Sequence, residues 1–199
     1  MVNLDWAGAT AVIVASGPSA ARTPIDSAMG RAKVVVVNSS WKLAPWADVL
    51  FATDAVWWFH HDGVPEFKGR RFASSPAACR RFGIDLFVTR GSNSGLRAIR
   101  LAEQFGASPI LLVGFDMHDK GGAHWHEPHG GKMRNPVAGS MRDWVIEIER
   151  ERHKFKAAII NCTPGSALQC FPFLPFEDAI NGCGHAHRAD SEGHLGIHR

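Results

Sequence analysis

Four histidines lie close together in one short stretch of the chain, at positions 118, 124, 126 and 129, with acidic residues at positions 116, 119 and 127. The histidine side chain gains or loses a proton near neutral pH, so this stretch suits a general base. Gly and Pro residues interrupt it, which predicts a long loop and not a helix. We expect His118 or His126 to act as the base, with His118 anchored by its proximity to Asp116.

The same side chains bind metals in other proteins, so a metal site is the alternative for this loop. The spacing His126-Glu127-Pro128-His129 differs from the H-E-x-x-H pattern of zinc proteases, however. A second group of metal-binding residue types, from Cys183 to His187, lies in a Gly-rich tail that we expect to be solvated. We therefore assign no metal ligand.

Two small polar turns are the next candidates for chemistry. The first, Ser16-Gly17-Pro18-Ser19, follows an apolar run, and the second, Gly91-Ser92-Asn93-Ser94-Gly95, precedes a helical pattern. Such turns can cradle a phosphate, because glycine allows close backbone approach and a helix N-terminus offers N–H groups. Neither turn matches the dinucleotide or P-loop fingerprint. We expect Gly17→Val to weaken nucleotide binding while leaving the fold largely intact.

Short apolar runs position these turns. They recur along the chain, most end in polar residues, and helical patterns separate several of them; the runs are 11–15, 33–37, 48–52, 70–73, 86–89, 110–113 and 157–160. Alternation of this kind predicts an α/β protein with a single Rossmann-like, doubly wound, mostly parallel sheet and helices on both faces. Ligands bind such sheets at the carboxyl ends of the strands.

The predicted nucleotide site follows from that rule, since it collects the polar residues at the strand ends and in the two turns. From the residues alone, the set is Ser16, Gly17, Pro18, Ser19, Asn38, Asp54, Ser92, Asn93, Ser94, Gly95 and Asp116. The alternative for the second turn is a purely structural role as a well-capped helix start.

Length and composition bound the classes of protein. The chain has 199 residues, 45% of them hydrophobic, which predicts one domain over 1–181 and a Gly- and His-rich tail over 182–199. Basic residues exceed acidic ones by only 22 to 19 without a basic block, so no nucleic-acid partner is indicated. No segment resembles a signal peptide or a membrane helix, so we expect a soluble, cytoplasmic protein without a membrane partner.

The order of the motifs resembles the bacterial sialyltransferase-like superfamily. The supporting motifs are a G-P-S turn at Gly17, Asn38 after the second strand, Ser94-Gly95 before a helix, and A-x-x-x-G-A-x-x-I-x-L-x-G-F-D ending at Asp116. A late segment, Pro164-Gly165-Ser166-Ala167-Leu168, is similar to the P-N-S-x-L segment of the sialyltransferases. The likeness covers roughly residues 11–175. The superfamily includes the DUF115 proteins and short phage or prophage proteins. If this chain is phage-encoded, its location would be the host cytoplasm.

This resemblance implies a nucleotide-dependent transferase that moves a sugar from a nucleotide sugar of the CMP type with a histidine base. It also implies that Thr163 and Ser166 contact the nucleotide. Two alternatives remain open. One is an ATP- and Mg²⁺-dependent diphosphotransferase, as in the pterin pyrophosphokinases of the same grouping, with Asp54 and Asp116 as candidate Mg²⁺ ligands. The other is a non-catalytic nucleotide-binding accessory protein of a phage.

Overall fold

The computed structural model describes residues 4–120, 122–127, 130, 133, 135 and 137–189, with side chains up to residue 182. Within this part, runs of aliphatic residues form one parallel sheet. Its strands are β1 (Ala11–Val14), β2 (Lys33–Val37), β3 (Val49–Ala52), β4 (Arg70–Ala73), β5 (Asp85–Leu86), β6 (Ile110–Val113) and β7 (Ile159–Asn161). They are ordered β5-β4-β3-β2-β1-β6-β7, and every pairing is parallel.

Four of the described α-helices lie between strands in the sequence, and the fifth follows the last strand. They are α1 (Ala55–His60), α2 (Pro76–Phe82), α3 (Ser94–Gln104), α4 (Ala138–Glu151) and α5 (Phe176–Ala189). The helix α3 starts where Asn93 accepts a hydrogen bond from the backbone N–H of Leu96 at 2.8 Å. This cap fixes the position of the second polar turn relative to the helix.

Alternate residues of each central strand enter two separate hydrophobic layers. In β1, Val12 and Val14 pack with residues of α1, α2 and α5 on one face, whereas Ala11 and Ile13 pack with residues of α3 and α4 on the other. Strands that are buried on both faces are apolar throughout, which is why they appear as continuous apolar runs in the sequence. The predicted doubly wound, Rossmann-like fold is confirmed.

The connection from β1 to β2 contains two short 3-10 helices, at Pro18–Arg22 and Ile25–Ala28. The helix α4 begins at Ala138 without a side-chain cap. One local prediction was wrong. The strand predicted over 86–89 is only Asp85–Leu86, because it pairs on one side alone and Val88 is 70% exposed.

The helix α5 runs through the boundary predicted between 181 and 182. The division into a domain and a tail therefore stays a prediction, and residues 190–199 lie outside the described residues. Among the described helices, none is both long enough and apolar enough to span a bilayer.

Candidate active site

The carboxyl ends of β1, β2, β3 and β6 lie side by side. Val14 pairs with Val36 and Val113, and Val37 pairs with Phe51, so the residues after these strands meet at one edge of the sheet. A cavity of about 610 Å³ opens there, a volume within the usual range for small-molecule sites. The predicted residues that line it are Ser16, Gly17, Asn38, Asp54, Ser92, Asn93, Ser94, Gly95, Asp116 and His118.

Five other predicted residues do not line this cavity: Pro18, Ser19, His126, Thr163 and Ser166. The last two hold the chain after β6 in place instead. Thr163 Oγ1 accepts a hydrogen bond from the N–H of Phe115 at 3.0 Å, and Ser166 Oγ donates to the Phe115 carbonyl at 2.5 Å. A nucleotide contact by Pro18, Ser19, Thr163 or Ser166 and a catalytic role for His126 stay predictions. His129 lies outside the described residues.

Asp116 closes the crevice between β1 and β6. The chain leaves these neighbouring strands toward opposite sides of the sheet, which is the switch point where ligands usually bind in such folds. Here the buried Asp116 carboxylate accepts hydrogen bonds from Ser19 Oγ at 2.8 Å and from the Ser19 N–H at 3.2 Å. These bonds fasten the β1 turn to the β6 end, and the cavity extends from there toward β2 and β3.

The hydrogen bonds between Asp116 and Ser19 require a glycine at position 17. A Cβ atom at this position would lie 2.0 Å from Asp116 Oδ2 and 2.5 Å from the carbonyl oxygen of Gly114. Its φ of −65° is accessible to any residue, so the requirement is for space and not for an unusual backbone angle. The expectation that Gly17→Val leaves the fold intact was therefore wrong, because the close approach is to the protein itself.

Two asparagine amides carry buried polar atoms at the cavity. Among the described residues, Asn38 Oδ1 and Asn93 Nδ2 find no hydrogen-bond partner. A buried polar group without a partner costs about 1–3 kcal/mol, so each one needs an explanation, and a hydrogen bond to a ligand is one. Asn38 also adopts a left-handed φ of 51°, which asparagine tolerates better than most residues. Both residues line the cavity, where a ligand could supply a donor for Asn38 Oδ1 and an acceptor for Asn93 Nδ2.

Neighbouring elements hold the second polar turn. The N–H of Ser92 donates to Glu147 on α4 at 3.0 Å, and the Ser92 hydroxyl donates to the same carboxylate. Ser94 Oγ donates to Thr53 Oγ1 after β3 at 2.9 Å. The turn is therefore fixed before any ligand arrives, which lowers the entropic cost of binding.

His118 reaches the cavity from an unusual stretch of backbone. Met117 has a left-handed φ of 57°, a costly conformation for a residue with a long side chain, and it turns the chain out of the sheet. His118 is half-buried, lines the cavity, and its Nδ1 has no hydrogen-bond partner within the described part of the chain. A ring nitrogen in this position suits proton transfer to or from a bound hydroxyl.

The rest of the histidine loop is fastened by Trp125. Its N–H donates to the Ser16 carbonyl at 3.0 Å, and its indole Nε1 donates to Ser40 Oγ at 3.2 Å. The flanking rings of His124 and His126 stack at 4.8 Å with 8° between their planes. Of this pair, His124 lines the cavity and His126 does not, so His124 is a further candidate that the preferred pair omitted.

We expect the loop to open as the solution becomes more acidic. Burial lowers the pKa of His126, and the nearby charge of Lys42 acts in the same direction, while Glu127 opposes them. The opened loop therefore binds protons more readily than the closed loop. Its stability relative to the closed loop rises as the pH falls through about 6.5.

The amide protection factor of Trp125, measured by hydrogen exchange, reports this opening. It should fall severalfold between about pH 7.5 and about pH 5.5. The change should disappear in His126→Gln and persist in His153→Gln, which alters an exposed histidine just after the C-terminus of α4. Equal protection of the wild-type amide at both pH values would contradict this account.

Several apolar residues of the cavity were missed by sequence reasoning. Met141 and Trp144 of α4 line the cavity, as do Trp57 of α1 and Phe115. Helical periodicity identifies an apolar face but does not distinguish packing on a sheet from covering a cavity. The polar strand ends opposite α4 were the one signal that could have suggested that Met141 and Trp144 cover a cavity.

The described residues contain no group of three or more His, Cys, Asp or Glu side chains arranged to hold a metal ion. Of the two proposed Mg²⁺ ligands, Asp116 is already bonded to Ser19, whereas Asp54 is exposed at the cavity. A Mg²⁺ ion would therefore depend on substrate phosphates for most of its ligands.

Searches with the sequence found no matching family model and no matching curated protein. Solved structures, in contrast, resemble the fold. The MAf glycosyltransferase from Magnetospirillum magneticum AMB-1 matches 96% of this chain with a TM-score of 0.62 and 13% identity, and the chain spans 38% of that protein's length.

The sialyltransferase CstII from Campylobacter jejuni is a second match, in two complexes. With cytidine-5'-monophosphate the TM-score is 0.59 at 15% identity, covering 84% of this chain and 85% of CstII. With CMP-3FNeuAc it is 0.60 at 14% identity, covering 84% and 86%. Likeness at such identities establishes a common fold, and it agrees with the sialyltransferase-like order of motifs in the sequence.

Proposed function

We propose that this chain is a glycosyltransferase that takes a sugar from a nucleotide sugar of the CMP type. The observation that carries the proposal is the pair of unsatisfied buried amide atoms, Asn38 Oδ1 and Asn93 Nδ2, at a cavity on the carboxyl edge of the sheet. The cavity is large enough for a nucleotide, and CstII, which has a similar fold, was solved with CMP and a CMP-sugar analogue.

The nucleotide phosphate is assigned to the N-terminus of α3. Ser92, Asn93, Ser94 and Gly95 all line the cavity there, and the positive end of the helix dipole stabilises a negative charge. The charge grows on the phosphate oxygen as the bond to the sugar breaks, so this interaction strengthens in the transition state. Bonds from Ser92 to Glu147 and from Ser94 to Thr53 keep the turn in position.

The acceptor is activated by His118 in this proposal. A ring nitrogen removes the proton of the acceptor hydroxyl, and the oxygen then bonds to the anomeric carbon. The bond from that carbon to the phosphate oxygen breaks, and the nucleoside monophosphate leaves with the electron pair. His118 is preferred over His126 because it lines the cavity, with His124 as the next candidate.

A thermal-shift panel with CMP, CDP, UDP, ADP and ATP, each with and without Mg²⁺, tests the choice of donor. Binding to the native state raises its unfolding temperature by mass action. We expect the largest shift with CMP or CDP and no requirement for Mg²⁺. A shift with ATP that depends on Mg²⁺ would instead support diphosphate transfer, with Asp54 as a ligand.

Turnover separates an enzyme from a non-catalytic binding protein. The assay incubates the protein with a CMP-sugar and uses chromatography to measure the release of free CMP. Binding of CMP without any release from the CMP-sugar, in the presence of a broad panel of sugar acceptors, would support the accessory-protein alternative and overturn the proposed reaction.

A further inference from the structure

A second concavity adjoins the active-site cavity on the outer side of α1. It has a volume of about 440 Å³ and is lined by Ala55, Val56, Phe59, His60 and Met133; we call it the α1 groove. Val56 is 46% exposed and Phe59 is 50% exposed. Val56 and Phe59 lie three positions apart on α1 and so share one face, where they form an exposed apolar patch.

The α1 groove is continuous with the cavity, because Val56 and Met133 line both. The chemical character changes along this path. The cavity floor at the strand ends is polar, with Asn38, Asp54 and Ser94. The groove contains one titratable side chain, His60, and is otherwise apolar. A molecule that extends from one into the other would need a polar end and an apolar end.

We propose that the α1 groove binds the apolar part of the acceptor, an alkyl or aryl group attached to the sugar or alcohol that receives the transferred residue. The inference rests on the proposed function, since it needs an acceptor hydroxyl at His118. In the reaction, that hydroxyl loses its proton to the imidazole and bonds to the anomeric carbon as the nucleotide leaves. The remainder of the acceptor passes Val56 and lies along Phe59.

The groove is formed before any ligand binds. The Phe59 ring contacts the Phe82 ring of α2 in an edge-on arrangement, with centroids 5.3 Å apart. This contact holds Phe59 against the protein while leaving half of it exposed. The absence of a carboxylate, lysine or arginine among the described residues that line the groove disfavours a charged occupant.

Calorimetric titration of the CMP-bound protein with matched glucosides tests the proposal. The probes are octyl, phenyl and methyl β-D-glucoside, with the octyl compound kept below its micelle concentration. We expect the octyl compound to bind about tenfold or more tightly than the methyl compound, because burial of two methylene groups already gives that ratio. Tighter binding of the phenyl compound than the octyl compound would assign the groove to an aryl group, and the reverse to an alkyl chain.

The matched variants are Phe59→Ala and Phe173→Ala, since Phe173 is also exposed, at 56%, but does not line the groove. Phe59→Ala should remove most of the preference for octyl or phenyl over methyl, and Phe173→Ala should retain it. Phe59→Leu should retain it in large part, which separates loss of apolar contact from loss of structure. CMP affinity should stay within about twofold in all three, because Phe59 does not line the cavity.

Two results would overturn the inference while leaving the proposed function in place: equal binding of the three glucosides, or a preference that survives Phe59→Ala, in a protein that binds CMP. A protein that binds no nucleotide in the thermal-shift panel but still prefers octyl glucoside would contradict the proposed function, and with it the assignment of the groove to an acceptor.

Discussion

Replacing His118 with alanine is expected to lower the rate of sugar transfer roughly 10²- to 10⁴-fold, the usual loss for a general base. The side chain lines the cavity, and its buried Nδ1 has no partner among the described residues. Nucleotide affinity should change little, because the nucleotide is assigned to Asn38 and the start of α3. The measurement is the initial rate of CMP release from the CMP-sugar at saturating donor.

The other histidines provide graded controls for this prediction. His153→Ala changes an exposed residue outside the site and should leave the rate unaltered. His124→Ala should have a smaller effect than His118→Ala, because its ring stacks on His126 and serves the loop. A rate within about threefold of wild type in His118→Ala would exclude it as the base, and a large loss confined to His124→Ala would transfer that role.

Gly17→Ala is expected to lower the free energy of unfolding by about 3 kcal/mol or more, at the upper end of overpacking penalties. The new Cβ would lie 2.0 Å from Asp116 Oδ2 and 2.5 Å from a backbone oxygen. Relief would require Asp116 to leave Ser19, whose buried N–H and hydroxyl would then lose their acceptor. Urea unfolding followed by circular dichroism measures the change.

Gly139→Ala is the matched control for this substitution. Gly139 lies in α4, and an added Cβ meets nothing within 4 Å. Alanine favours a helix over glycine, so this variant should gain roughly 0.5 kcal/mol. If Gly17→Ala were as stable as wild type, the β1 turn would have room that the structure does not show, and the fastening of β1 to β6 through Asp116 would be wrong.

The parts of the fold that the sequence predicted well are those set by local pattern. Strands buried on both faces, such as Ile110–Val113, are continuous apolar runs, and polar residues follow where they end. The parallel topology then brings Gly17, Asn38, Asp54 and Asp116 to one edge. That clustering was predicted correctly, because it depends on strand direction and not on the details of packing.

The parts that the sequence did not predict depend on which strands are neighbours. Asp116 and Ser19 are 97 positions apart in the sequence. They meet only because β6 pairs with β1. The Ser-Gly-Pro-Ser turn suggested a phosphate-binding site. Part of its conformation is instead required by the contact between Ser19 and Asp116. The choice among the histidines likewise depends on where Trp125 fastens the loop, which no local pattern encodes.

Titration of CMP into the wild type and two glycine variants is the most direct test of the account. Asn38→Gly removes the amide at the cavity but keeps the left-handed backbone, which glycine adopts freely. Asp62→Gly makes the same kind of change at an exposed left-handed position, with φ of 47°, outside the cavity. Calorimetry should give one CMP per wild-type chain, an affinity about tenfold weaker in Asn38→Gly, and no change in Asp62→Gly. Equal CMP affinity in all three proteins, or no binding to the wild type, would contradict the assignment of this cavity to a nucleotide donor.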